Sequence, residues 1–473
     1  MEYRLVLPSG RQGVPIQLLC LFGPPHTLPE SNMTASRGKT QKDILKTFEI
    51  SDGIFAIGVM ERGVTLYNQQ VRAHNLVWAL VEEHRSDTRK LGRVAVIGAG
   101  AAGLTTTAAL LACDSGISVT LFEKEWDLCP VQQGCDGRWL HPSLYAWPSW
   151  GSRAPSASLP ILNWSEGRAS DVARMLLNGF ASYCQVYGKK RFQALVGVHH
   201  LQVQAATRDI RFIGTNVVVN DQYFTQGQSE GRTDRFDTII FTAGFGWERT
   251  NHFNTNSYWR NEQLGQPGLT VDRKRYLVSG SGDGALVDVC RLSIERFRQD
   301  TILYELFGNA LEETEDRLRM LLKGREKDSL LPLFEFIEDT LLKSPKAALR
   351  KRLRKDTAVT LHIGGRNPDK PNDLSDIFGP TSSVLNRILI YLLYRCGAIS
   401  ISRRPLDDAI SSAHISADHV LCRYGCDTES HLKLIFNDYG FVGNAFARME
   451  KEQAQHPERY WKPGYFPTAE DRT

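Results

Sequence analysis

The sequence predicts an α/β protein organised around a parallel sheet, and three stretches predict it. Residues 93–123, RVAVIGAGAAGLTTTAALLACDSGISVTLFE, run from an apolar segment through a glycine turn and an alanine and leucine segment to a second apolar segment ending in an acid. DTIIFTAGFG, 237–246, reads as a buried strand closing on another glycine turn. RYLVSGSGDGALVDVCRL, 275–292, repeats the order strand, glycine turn, helix. Strands alternating with helices in this way demand a sheet covered on both faces.

The first stretch is the most specific. Gly98 permits the tight turn out of the strand, Gly100 leaves no side chain between the backbone and a pyrophosphate, and Gly103 lets the helix lie close to the sheet. The unpaired amides of the first helical turn, on Ala101, Ala102 and Gly103, then face the phosphates. Glu123, twenty residues after the last glycine, takes two hydrogen bonds from a ribose diol, with Lys124 beside it. Strand, turn, helix, strand and acid stand in register, which reads as a dinucleotide site. The spacing alone does not choose between FAD and NAD.

The wording VIGAGAAGL followed by VTLFEK resembles the ADP-binding unit of FAD-dependent oxidoreductases, in the two-dinucleotide-binding-domain flavoprotein superfamily that includes the thioredoxin reductases and flavin monooxygenases. The resemblance implies FAD at the first turn. It also places Thr242, Ala243 and Gly244 where the family's Ala-Thr-Gly strand end passes the flavin. The order helix, β-meander, strand and small-residue turn fits the superfamily along about 150 residues. The expected fold is a Rossmann-type FAD-binding domain at 91–250 and a second, inserted NAD(P)-binding-like α/β unit at 270–430. A helical insertion at 300–355, an N-terminal extension at 1–90 and a C-terminal tail at 431–473 complete it.

Within the N-terminal extension, short apolar runs at 3–7, 16–22 and 54–59 alternate with Pro, Gly and Ser clusters and read as strands and turns. Residues 67–84 follow a helical period, with Ala73, Leu76, Val77 and Leu80 on one face. Beyond Glu123, the segment 124–164 is rich in Trp, Pro and Gly and has no period, which is unusual unless it covers a ligand. Arg138, Trp139, His141, Tyr145 and Trp147 are therefore candidates for lining a flavin ring or its substrate. Arg138 is matched to a pyrophosphate and His141 to proton transfer. The other reading is an aromatic loop buried for packing.

Cys129 and Cys135 follow the first nucleotide unit at the distance of the redox pair in the disulfide reductases. That family's pair is separated by four residues on a helix, whereas here five intervene and Pro130 is one of them. The chain then predicts a helix over 166–188, strands at 200–205 and 210–219, and a polar hairpin through Gly227 and Gly231.

The turn with Gly280, Gly282 and Gly284 leaves two readings open. It is similar to the second nucleotide turn of thioredoxin reductases, which implies NAD(P)H, with Ala285 in place of the third glycine. Alternatively, Gly282 and Asp283 are the Gly-Asp pair that binds the ribityl chain. Residues 301–355 are helical, with Leu303, Leu306, Phe307, Ala310 and Leu311 at i, i+3, i+4 spacing. AVTLHI, 358–363, is then the displaced return strand, and Arg366 beyond it is placed to meet an adenosine 2′-phosphate. The basic run 343–355 carries Leu349 and Leu353 at helical spacing and reads as a solvated helix face. Residues 379–396 predict a buried helix, 417–430 a last strand and turn, and the proline-rich end a surface tail. Cys422, Cys426 and His431 lack a fourth ligand nearby, so no metal site is expected.

Composition bounds the rest. With 473 residues, 42% hydrophobic and a net charge of +4, the chain suffices for two or three domains, and its charge gives no reason to expect a nucleic-acid partner. Nine scattered cysteines point to a reducing compartment. The sequence offers no signal peptide and no apolar run long enough for a membrane span, so a cytoplasmic protein is expected. There is no P-loop, HExxH or GxSxG motif. The sequence thus predicts a flavin-dependent oxidoreductase moving hydride from NAD(P)H to FAD and on to a small-molecule substrate or oxygen, as in a monooxygenase or an NAD(P)H oxidase. A non-catalytic FAD or NAD(P) sensor and an amine oxidase without a nicotinamide site stand as alternatives. Homo-oligomerisation is left open.

Overall fold

The computed structural model describes residues 40–58, 65–86, 91–114, 116–217, 225–227, 231–244, 248–249, 257–268, 272–325, 328–364, 374–452 and 458–472. The expected strands at 3–7 and 16–22 and the expected ligand Arg366 lie outside the described residues.

The chain begins with α1 (Gln41–Phe48), held by a capping box between Thr40 and Asp43 that satisfies orphan amides at both positions. The hairpin of β1 (Glu49–Ser51) and β2 (Ile54–Ala56) follows, then α2 (Leu66–Ser86), β3 (Arg93–Ile97), α3 (Ala101–Cys113) and β4 (Ser118–Phe122). After the irregular segment, which holds only β5 (Trp139–Leu140) and β6 (Gly167–Arg168) as strands, come α4 (Ala169–Tyr183), β7 (Phe192–Gln204), β8 (Asp209–Val217), β9 (Thr225–Gly227), β10 (Arg232–Arg235) and β11 (Thr238–Phe241).

These strands form one sheet in the order β1-β2-β11-β3-β4-β7-β8-β10, with β9 beside β8. The five central strands from β2 to β7 are parallel. Val94, Ala95, Val96 and Ile97 of β3 are all buried, as expected for a strand covered on both faces. On one face, α3 is buried along nearly its whole length and packs with α2 and α4. Residues 49–86 therefore belong to the first sheet and its helical layer, which corrects their reading as part of a separate extension: β2 pairs in parallel with β11, matching Ile54 to Ile239.

The second sheet is built from β12 (Lys274–Ser279), β13 (Thr357–His362), β14 (Ile399–Ser402) and β15 (Val420–Cys422), all parallel, in the order β14-β13-β12-β15. Between β12 and β13 lie α5 (Asp283–Ser293), α6 (Ile302–Phe307), α7 (Leu311–Leu322), α8 (Leu331–Ile337) and α9 (Lys343–Arg350). The return strand is thus displaced by a helical insertion. α10 (Val384–Arg395), capped by Ser383, joins β13 to β14, and α11 (Leu406–Ala413) joins β14 to β15. The insertion and the sheet share one core, running from Val278 and Leu286 through Leu318 and Phe334 to Tyr391.

The C-terminal region is not a surface tail. α12 (Thr428–Ile435) and α13 (Tyr439–Glu452) cover the second face of the first sheet, where Phe436, Val442, Phe446 and Met449 pack against Ile97, Phe122 and Phe241. Further on, Phe466 is buried against α2 and α3. The apolar side chains of these segments are spaced for burial, and two sheet-covering layers are what they bury against. Among the described residues, no helix is long and apolar enough to cross a membrane.

Candidate functional site

The carboxyl ends of β3, β4 and β11 open at one edge of the first sheet, and the three glycines after β3 do different work there. Gly98 has φ +102°, and a Cβ on it would lie 2.5 Å from the Cα of Ala243. A Cβ on Gly103 would lie 1.9 Å from the carbonyl oxygen of Gly98. Both positions are closed to side chains by the approach of neighbouring backbone. Gly100, in contrast, has nothing within 4 Å of its missing Cβ. It is also the N-cap of α3 and offers no side-chain cap, so the amides of Ala101, Ala102 and Gly103 are left to an outside acceptor.

Glu123 completes the mouth. It is buried, and its carboxylate accepts from the amides of Ala99 at 2.7 Å and Glu125 at 3.0 Å. Burial pushes its pKa up against the pull of those two amides and of Lys124. Two amides leave lone pairs for further donors. Lys124 is half-exposed and pairs with Glu125 at 3.4 Å. Across the strand, Thr242 donates through its amide to the carbonyl of Ile97 and through its hydroxyl to that of Gly98, fixing the turn, while Gly244 sits at φ +70° with nothing within 4 Å of its missing Cβ.

The candidate side chains of the aromatic segment 124–164 are held by partners within the protein. Arg138 is buried. It donates to the carbonyl of Tyr258 at 2.7 Å, pairs with the carboxylate of Asp288 and lies 3.8 Å from the centre of the Tyr258 ring, so it is committed within the protein rather than to a pyrophosphate. Trp147 donates to Glu315 at 2.7 Å, Tyr145 reaches Gln299, and Trp139 is covered by the Arg298 guanidinium. His141 lines a small cavity with Glu166, Asp300 and Tyr304. Its Nδ1 accepts from the amides of Ser143 and Leu144, so Nε2 carries the hydrogen and faces Glu166 at 3.2 Å; burial lowers its pKa further.

Cys129 and Cys135 are free, buried thiols. Burial, and then the charge of Glu123, pushes Cys129 up to about 12, and burial raises Cys135 as well. Neither is a thiolate near neutrality, so both the redox pairing and a nucleophilic role are withdrawn. Cys129 instead anchors the segment through its amide, which donates to the carbonyl of Ala99.

The second glycine turn follows β12. Gly280 has φ +140°, and its Cβ would lie 2.6 Å from the carbonyl of Arg423. Gly282, the N-cap of α5, has open space where its side chain would be. One carboxylate oxygen of Asp283 accepts from the Ser383 amide at 2.8 Å and from Asn386 at 2.6 Å, tying α5 to α10 and leaving the other oxygen for a ligand. A Cβ on Gly284 would touch the Tyr258 ring at 3.4 Å. Behind it, buried Asp288 accepts from Arg138, from Arg423 at 2.8 Å and from Arg291 at 3.4 Å. Burial alone would raise its pKa, but the three guanidiniums hold it down.

Three residues that the sequence reading passed over gather at this edge. Ser279 ends β12, His362 ends β13, and Tyr424 follows β15; the Ser279 hydroxyl lies 2.7 Å from His362 Nδ1 and 2.8 Å from the Tyr424 hydroxyl. Their signal in the sequence is shared placement, since each stands one or two residues before a glycine at a strand end. A cavity of about 400 Å³ lies apart from both turns, between residues 149–154 and the Glu312, Glu315, Asp316 and Arg319 side chains of α7. Among the described residues, no group of three or more His, Cys, Asp or Glu side chains is arranged to hold a metal ion.

Residues 93–211, from β3 into β8, match the model of a family described as FAD dependent oxidoreductase. No curated protein matches the chain. Among solved structures, the chain is similar to a NAD-dependent persulfide reductase from A. fulgidus, at 11% identity over 72% of this chain and 47% of that one, with a TM-score of 0.32. It is also similar to OTEMO in complex with FAD and NADP, at 13% identity over 72% of each chain and a TM-score of 0.33. T. acidophilum thioredoxin reductase matches at 18% identity over 42% of this chain and 51% of its own, with a TM-score of 0.21. The chain thus spans about half the length of the persulfide reductase, 47%. Over 93–211 the chain resembles FAD-dependent oxidoreductases, and its fold is α/β with Rossmann-like regions.

Proposed function

We propose that the protein is an FAD-dependent oxidoreductase acting on a small-molecule substrate or oxygen, with NAD(P)H as its electron donor. One observation carries the reading: Gly100 is bare toward open space at the N-terminus of α3, while Gly98 and Gly103 are glycines for packing reasons. In this reading the amides of Ala101, Ala102 and Gly103 hold the FAD pyrophosphate, Glu123 takes the adenosine ribose, and Ala243 and Gly244 flank the flavin. Gly282 and the amides of α5 receive the second dinucleotide. Bound FAD supplies hydride and electron transfer, and the protein's share is to bind and orient it.

The second mouth favours another reading, a dinucleotide sensor without turnover, because Arg138, Tyr258 and one oxygen of Asp283 are committed to internal contacts there. An absorption spectrum of the purified protein, followed by anaerobic titration with NADH and then NADPH, separates the two. The oxidoreductase reading expects a yellow protein that bleaches with one nicotinamide. A colourless protein counts against FAD; a yellow one that neither nicotinamide bleaches counts against NAD(P)H as the donor.

A further inference from the structure

Parallel strands bring their carboxyl ends to one edge, and in the second sheet β12 has β13 on one side and β15 on the other. The chain leaves β12 for β13 and returns to the far side of β12 as β15, so the order reverses between β12 and β15. The crevice outside such a reversal is where open α/β sheets bind ligands. Ser279 and Tyr424 stand at that point.

The directions of the hydrogen bonds follow from the last in the chain. His362 Nε2 lies 2.8 Å from the carbonyl oxygen of Arg404, which only accepts, so Nε2 carries the hydrogen. Nδ1 of the neutral ring is then an acceptor and takes the single hydrogen of the Ser279 hydroxyl. Tyr424 must therefore donate to Ser279, which leaves its oxygen to accept, with the Cys422 thiol bonded beside it. Ser279 is 1% exposed, His362 5% and Tyr424 39%, so the chain of bonds runs from the surface to a buried imidazole.

We propose that Tyr424, Ser279 and His362 form an acid–base relay at the mouth of the second sheet, in which Tyr424 takes the proton of a ligand hydroxyl or ammonium group and His362 stores it. The ligand's O–H or N–H bond breaks as a new bond forms to the Tyr424 oxygen. The Tyr424 hydrogen moves to Ser279, and the Ser279 hydrogen moves to Nδ1. Imidazole becomes imidazolium, the ligand keeps the electron pair, and nothing is oxidised or reduced. Tyr424 is the catalytic residue; Ser279 and His362 position it and drain its proton. The relay rests on and deepens the oxidoreductase reading: run in reverse, it passes a proton from His362 through Ser279 and Tyr424 to the oxygen or nitrogen of a substrate that gains a hydride.

The charged and titratable neighbours do not supply the same function. Cys422 lies beside Tyr424 on β15, Arg423 is bonded to Asp288, and Arg403, next to Arg404, pairs with Asp376. Burial pushes the Tyr424 phenol up to about 12, so near neutrality it acts as a base only when its own proton can pass inward.

The relay is tested with benzenesulfonyl fluoride on the full-length protein as purified, with labelled peptides quantified by mass spectrometry. Labelling forms an O–S bond at a phenol, breaks S–F and requires the phenolic proton to leave. Tyr424 is expected to react about ten-fold or more faster than Tyr304, which is 50% exposed, as a general base accelerates its partner by that order or more. Ser279→Ala and His362→Gln should bring Tyr424 down to the rate of Tyr304 or below, and Ser279→Thr should restore it. Equal labelling of Tyr424 in wild type and variants, labelling only in strong alkali, or labelling of Ser279 in its place overturns the relay. Should the variants fail to fold, the labelling rate of Tyr424 against that of Tyr304 in the wild type at neutral pH decides alone. Flavin absorbance of the same samples keeps the two ideas apart: a colourless protein with fast Tyr424 labelling sinks the FAD reading and leaves the relay, and a yellow one with slow labelling does the reverse.

Discussion

At the first turn, Gly98 and Gly100 are two residues apart and answer to different demands. An alanine at Gly98 has to hold φ +102°, where a side chain costs roughly 1–2 kcal/mol, and has to move the backbone of Ala243, 2.5 Å away. Leucine at Gly100 meets neither obstacle, since φ is −72° and the space beside it is open; loss of the N-cap preference costs about 1 kcal/mol. Gly98→Ala should therefore melt well below the wild type or fail to accumulate. Gly100→Leu should melt close to the wild type and be purified without yellow colour. Thermal denaturation and the ratio of flavin to protein absorbance report both, and a yellow Gly100→Leu protein would remove Gly100 from the site. The tight turn at Gly98 and the bare backbone at Gly100 were readable from their spacing after a strand. The internal partners of Arg138, His141 and Asp283 were not, because a sequence shows a polar side chain but not the buried group that meets it.

Among the elements, the helical insertion shows how one residue joins three helices. Glu338, just past α8, accepts from Lys346 of α9 at 2.5 Å, and from Tyr391 at 2.6 Å and Arg395 at 2.8 Å, both of α10. Burial opposes its charge, yet these donors hold its pKa at about 2. An unfolded glutamate titrates near about 4.3, so the folded state binds the proton less readily. The stabilisation is then complete above the unfolded value and is lost as pH falls through about 2. Glu338→Gln should lower the urea midpoint at pH 7 by the equivalent of about 1.5–3 kcal/mol, the range for bonds to a charged group. The gap between variant and wild type should close toward pH 2; a gap independent of pH would show that the carboxylate's charge is not what binds the helices. The helices of this insertion were legible from their i, i+3, i+4 spacing, as was the return strand β13. The aromatic segment 124–164 was legible only as irregular, since Trp and Pro enrichment marks ligand lining and packing mortar alike.

Over the whole molecule, the first sheet is assembled from distant parts of the chain. β2 arrives from before the glycine motif, and α12 and α13 close the other face from beyond residue 427. Period and spacing show that such segments have an apolar face but not which sheet it meets, so both ends were assigned to appendages. The last described residues make the same point at α2. Asn75 accepts from the amide of Tyr460 and donates to the carbonyl of Glu458, and Tyr465 donates to Glu82. Between these contacts His74 is fully buried, stacked on Trp461 with ring centres 4.9 Å apart and edge-on to Phe466. Its Nδ1 donates to the Gln70 carbonyl, and Nε2 has no hydrogen-bond partner among the described residues. Burial lowers its pKa to about 4, with the nearby charge of Arg459 adding to the effect and the bond to Gln70 opposing it. Folding thus favours the neutral ring, and its contribution is complete above the unfolded value of about 6.5 and lost as pH falls through about 4. Residues 458–466 should loosen from α2 across that window while the sheets hold. Hydrogen exchange in this segment, corrected for the intrinsic effect of pH, should rise between pH 7 and pH 4, and Trp461 fluorescence should shift with it. His74→Phe keeps the rings packed and has no proton to gain, so it should flatten both signals; an unchanged pH response in that variant would show that His74 is not the group that loosens the segment.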